Sequence, residues 1–164
     1  MKGKLIAILM FVCALPLLAC GASGAFNVRV DDQYSYLTIT MSEAQIADMI
    51  VPLLENGEDF QVENPTIDLR SGEIVVTGSV VGDGGQLHAG SLALRAWAAN
   101  GRLYLEVARF SFAGFTATQA MLANFNAEME AGLARDAENA DSETHEVVIT
   151  DTEFSITWRS PRED

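Results

Sequence analysis

"SLALRAWAANGRLYLEV", residues 91–107, is the stretch on which the fold class turns. Two runs of alternating apolar and polar residues flank Asn100-Gly101, and both of those residues tolerate the positive φ of a type I′ turn. A two-residue loop there pairs Ala98 with Leu103, Ala96 with Leu105 and Leu94 with Val107 on one face. The other face pairs Trp97 with Tyr104 and Arg95 with Glu106. Side chains alternate with period two, so a slip of one residue would carry the whole apolar set to the wrong face; one apolar face therefore sets the register.

Moving outward, the same arithmetic recurs on both sides. In "TIDLRSGEIVVTGSV" (66–80) a loop at Ser71-Gly72 pairs Leu69 with Ile74 and Ile67 with Val76, and sets Arg70 opposite Glu73. In "HEVVITDTEFSITW" (145–158) a turn at Asp151-Thr152 pairs Ile149 with Phe154 and Val147 with Ile156. A glycine-rich turn, Gly82-Asp83-Gly84-Gly85, leads into the central hairpin. Near the start, "FNVRV" (26–30) and "YSYLTITM" (34–41) read as strands about an Asp31-Asp32-Gln33 turn, the second rich in β-branched and aromatic residues.

Two helices punctuate the strands. Ser42-Glu43-Ala44-Gln45 has the form of a capping box, and Ile46, Met49, Ile50, Leu53 and Leu54 fall on one helical face. Pro52 removes a backbone donor, which predicts a kink or a loosened last turn ending by Asn56-Gly57. A second helix is predicted over 117–137, capped by Thr116 or Thr118, with Met121, Leu122, Phe125, Met129 and Leu133 as its stripe. Alanines at 120, 123, 127, 131 and 134 add helix propensity. The acidic "DAENADSE" (136–143) reads as an exposed connection. The whole is an α+β chain: an antiparallel sheet built of hairpins, packed against two amphipathic helices. The two helix starts lie about 76 residues apart and the flanking turns about 80, so the order fits an internally duplicated strand–helix–hairpin unit. Coincidence among α+β folds fits it too, and both readings stand open.

The first residues stand outside this pattern. Lys2 and Lys4 precede "LIAILMFVCALPLL" (5–18), a basic n-region and an apolar h-region. About 20 apolar residues are needed to span a bilayer, so this run is short, and Pro16 interrupts it. Leu17-Leu18-Ala19-Cys20 resembles the lipobox of bacterial lipoproteins, with Leu18 in a place more often held by a small residue. The resemblance implies that the signal is cut before Cys20, whose thiol is acylated. The alternative is an ordinary signal-peptidase cut near Ala22 or Ala25 that releases a soluble protein. The expected division is a signal over 1–19, a short tether over 20–25, one α+β domain over 26–160 and a tail over 161–164. Five extended residues after Cys20 reach at most about 18 Å, which would keep the domain close to a bilayer. The expected location is the cell membrane or outer membrane, facing the periplasm or the exterior.

Removing the signal removes both lysines and Cys13, the only other thiol. What remains has eight arginines against 23 acidic residues, a formal charge of −15. That charge repels phosphate backbones, so nucleic acid is not an expected partner, and it repels anionic headgroups, so membrane attachment would rest on acyl chains. Catalytic patterns are sparse. His88 and His145 lack metal-ligand spacing, "VGDGGQ" lacks the lysine and hydroxyl of a phosphate loop, and no nucleophile elbow lies in the domain. Asp136, Glu138, Asp141 and Glu143 do not have calcium-loop spacing. The expectation is a non-enzymatic protein without cofactor or metal.

Over 34–158 the element order resembles the tubular lipid-binding (TULIP-like) proteins, in which a long helix lies in a curved antiparallel sheet. That resemblance implies an acyl chain held between helix and sheet. The candidate lining, on the apolar face of each element, is Met49, Ile50, Leu53, Ala96, Leu105, Met121, Leu122, Phe125 and Met129. Methionine adapts to varied apolar shapes, and the small alanines leave room for a helix or a ligand. The expected role is binding or carrying a lipid or other apolar molecule. The alternative is a structural lipoprotein that recruits another envelope protein.

Overall fold

In the computed structural model, which describes residues 24–56, 61–81, 85–112, 115–137 and 142–162, Asn100 and Gly101 both adopt left-handed backbone, with φ of +51° and +75°. The central hairpin forms around them. In chain order the elements are β1 (Ala25–Val30), β2 (Tyr34–Ser42), α1 (Glu43–Glu55), β3 (Glu63–Arg70), β4 (Glu73–Val81), β5 (Leu87–Ala99) and β6 (Arg102–Phe112). Then follow β7 (Phe115–Thr116), α2 (Gln119–Ala137), β8 (Glu143–Ile149) and β9 (Glu153–Pro161). The glycine-rich turn at 82–84 and the acidic connection at 138–141 lie outside the described residues, as does Gly57.

The chain is α+β, with antiparallel hairpins on two helices, and its strands divide between two sheets instead of one. The first has the order β1-β2-β9-β8, the second β3-β4-β5-β6-β7. All three hairpins take the register their apolar faces require: Leu94↔Val107 and Ala96↔Leu105, Ile67↔Val76 and Leu69↔Ile74, Val147↔Ile156 and Ile149↔Phe154. Trp97 and Tyr104 stack across the central pair at 5.6 Å. Two units repeat in outline. Each helix is followed by a hairpin whose first strand, β3 or β8, is a sheet edge; the inner strand then pairs onward, β4 with β5 and β9 with β2.

The two sheets meet at their turns. The Ser71 amide donates to Asp151 Oδ1 at 2.7 Å and the Gly72 amide to the Ile149 carbonyl at 2.9 Å, which ties the β3–β4 turn to the end of β8. At its other end β8 donates from Thr144 N to the Gly101 carbonyl at 2.9 Å. So β8 lies against β5, and one hydrophobic core runs through both sheets, from Ile39 and Ile156 to Leu94 and Leu105.

The capping box of α1 is present: Ser42 Oγ accepts from the Gln45 amide at 3.3 Å and Gln45 Oε1 from the Ser42 amide at 2.8 Å. Ile46 and Ile50 are buried, and Glu43 reaches sideways to accept from the Leu69 amide of edge strand β3 at 2.8 Å. The helix continues through Pro52 to Glu55, where Asn56 donates both its backbone N–H and its Nδ2 to the Pro52 carbonyl. Helix α2 begins two residues later than the spacing predicts. Ala117 donates to the Phe110 carbonyl at 3.0 Å, which ties it to β6, and Thr118 caps the helix from the Met121 amide at 3.4 Å. No described helix is long and apolar enough to cross a membrane.

Candidate functional site: an apolar notch beside the second helix

The notch begins with one extra residue in β6. Ala93 pairs with Arg109 while Leu94 pairs with Val107, so Ala108 has no partner and forms a bulge. A bulge inverts the alternation of every residue beyond it. Before it, Leu103, Leu105 and Val107 face the core; after it, Phe110 and Phe112 do. Arg109, which strict alternation would turn inward, instead lies on the outer face beside Arg95.

There both guanidiniums bind Glu73, at 2.6 Å from Arg109 and 2.7 Å from Arg95. Hydrogen bonds from Arg109 first and then Arg95 hold the Glu73 carboxyl below its ordinary range, so it is charged at neutral pH. Arg95 thus bonds Glu73 on β4 although its register partner on β6 is Glu106.

The freed backbone at the bulge is taken up by the helix. Asn126 of α2 accepts from the Val107 amide at 2.9 Å and donates to the Val107 carbonyl at 3.2 Å. This two-point contact fixes α2 on β6. Phe125 and Met129 are buried beneath it, and Leu122 and Leu133 pack against the same core.

Between the start of α2 and the far end of the second sheet an open notch of about 40 Å³ remains. Leu92 and Val107 form its floor, and Phe110 and Phe115 one wall. Ala117, Met121, Leu122 and Phe125 form the other. All eight side chains are apolar. Phe115 and Met121, both more than a third exposed, stand at the mouth. Strand β7 exists to place Phe115: it folds back on β6 through Phe112↔Phe115, and the Phe110 and Phe115 rings meet edge-on at 6.4 Å.

Of the nine residues proposed as lining from the sequence, the notch gathers Met121, Leu122 and Phe125. Ile50, Leu105 and Met129 are buried in the core, Met49 and Ala96 pack at its margin, and Leu53 is exposed. The other five notch residues were missed. For Phe110 and Phe115 the signal was the aromatic spacing of "RFSFAGF" (109–115), which strict alternation cannot place on one side. His145 packs edge-on against Tyr36 at 5.3 Å on the outer face of the first sheet, and His88 lies at the start of β5. Among the described residues no three His, Cys, Asp or Glu side chains converge as a metal site. No protein-family model, curated protein or solved structure matches the chain.

Proposed function

We propose that this chain is a membrane-anchored envelope lipoprotein, acylated at Cys20, whose domain is a non-enzymatic binder of a lipid or other apolar molecule. The observation that carries the reading is the all-apolar notch beside α2, with Phe115 and Met121 at its mouth. The lipobox-like Leu17-Leu18-Ala19-Cys20 supports the anchor. The likeness in element order to tubular lipid-binding proteins is an argument from fold alone.

Size decides how the ligand is held. A cavity that encloses a drug-sized ligand is about 300–1,000 Å³, and one water takes up about 30 Å³ of liquid. A notch of about 40 Å³ grips the end of an acyl chain or a comparable apolar group and leaves the rest outside.

Native mass spectrometry of the domain starting at Gly21 should show co-purified lipid, and the protein should take up a fluorescent fatty acid. Met121→Asp sets a charge in the mouth and should weaken uptake by about tenfold or more, with melting temperature little changed. A clean apo mass together with no uptake would refute the reading, as would unchanged uptake by the variant.

A further inference from the structure

The core face of the first sheet does not stop where the core stops. Register places Phe26 beside Ile39 and Ile156 in one row, and Val28 beside Leu37 and Trp158 in the next. Ile39 and Ile156 are buried. Toward the β1 edge the same face emerges into solvent, with Phe26 55 %, Val28 68 %, Val30 53 % and Leu37 39 % exposed. Single exposed apolar residues are ordinary, but four contiguous ones continuing a core face mark a contact surface.

Charge and chain length identify the partner. In a chain with 23 acidic residues, the fifteen residues of β1 and β2 carry a single charge, Arg29. Its guanidinium lies over the Tyr36 ring, 4.3 Å from the centroid, on the opposite face of the sheet. The flanking acids are Asp31 and Asp32 in the turn and Glu43 after β2; Asp31 is engaged by the Gln33 and Tyr34 amides and Glu43 by the Leu69 amide. The strand itself begins five residues after Cys20, within about 18 Å of it when fully extended. We infer that Phe26, Val28, Val30 and Leu37 form a bilayer-docking face that seats the domain on the membrane holding the Cys20 lipid. This rests on the lipoprotein reading above.

The contact is at the boundary between headgroups and acyl chains. β1 is an edge strand, and its outward backbone groups need water or headgroup partners that the hydrocarbon interior lacks. Pairing of β1 with a second copy would satisfy that edge but leave the apolar face bare.

The test uses the full-length, processed protein reconstituted into vesicles of phosphatidylethanolamine with a minority of phosphatidylglycerol. Val28→Cys is labelled with a polarity-sensitive fluorophore; Val148→Cys, on the outer face of edge strand β8, is the control. Intact mass first reports whether Cys20 is acylated. The expected result is a blue-shifted emission at 28 that quencher-bearing lipids reduce severalfold more than at 148. If Cys20 is acylated and both sites quench alike or not at all, the docking face is wrong and the lipoprotein reading stands. Emission shifted at 28 but untouched by lipid-borne quencher means that protein covers the face, which also overturns the inference. An unacylated Cys20 removes the tether, and the inference with it.

Discussion

At the scale of single residues, Asn126 joins helix to sheet through two hydrogen bonds. It is one polar side chain on the packed face of α2, and it satisfies both backbone groups of Val107 where the Ala108 bulge interrupts the ladder. A buried donor left without a partner costs about 1–3 kcal/mol. Asn126→Ala should therefore lower stability by that amount and speed amide exchange at Val107 more than at Leu105. Exchange that quickens equally at both, or at neither, would show that α2 is held by its apolar stripe alone. Asn126 was not legible in the sequence, because its value depends on a bulge that leaves no mark in composition. By contrast, Asn100-Gly101 and the Ser42…Gln45 box were legible, since their bonds close within four residues.

Among the elements, paired glycines shape the second sheet. Gly78 of β4 and Gly90 of β5 are direct cross-strand partners. A Cβ on Gly90 would collide with the Phe112 ring and the Ser111 carbonyl, and one on Gly78 with Val62. Phe112 in turn packs on Phe110, the notch wall, at 5.5 Å between ring centroids. Gly90→Ala should cost about 1–3 kcal/mol by overpacking, a fall in melting temperature on the order of 5 °C. It should also alter fatty-acid uptake, because the displaced ring leans on the notch; an unchanged melting curve would contradict this packing. Hairpin registers were readable from the sequence to the residue, from turn chemistry and alternating apolar positions. The split into two sheets was not: β2 pairs with β9 across more than a hundred residues, and spacing holds no record of so distant a partner. The candidate site was legible only in part for the same reason. Met121, Leu122 and Phe125 lie on a visible helical stripe, whereas Phe110 and Phe115 reach the notch through a bulge and a backfolded strand.

Over the whole molecule, charge is the largest imbalance. Among the described residues four arginines are engaged in ion pairs with Asp68, Glu73 and Glu143, while over the whole chain 23 acidic residues stand against 10 lysines and arginines. The resulting self-repulsion opposes compaction and is screened by salt. Raising salt from about 0.01 M to about 0.15 M shortens the Debye length from about 30 Å to about 8 Å, so the melting temperature should rise. A fall would mean that the ion pairs outweigh the repulsion. The pairing of β2 with β9 has a consequence in time. β2, early in the chain, and β9, near its end, are neighbours in the first sheet, so that sheet depends on contacts of very high sequence separation, which form late because a long loop must close first. β3 through β6 can associate as a meander while the last residues are still being made. The first sheet has to wait for β9, and until then the domain cannot lock. The core that the two sheets share is thereby kept unfinished until β9 has arrived.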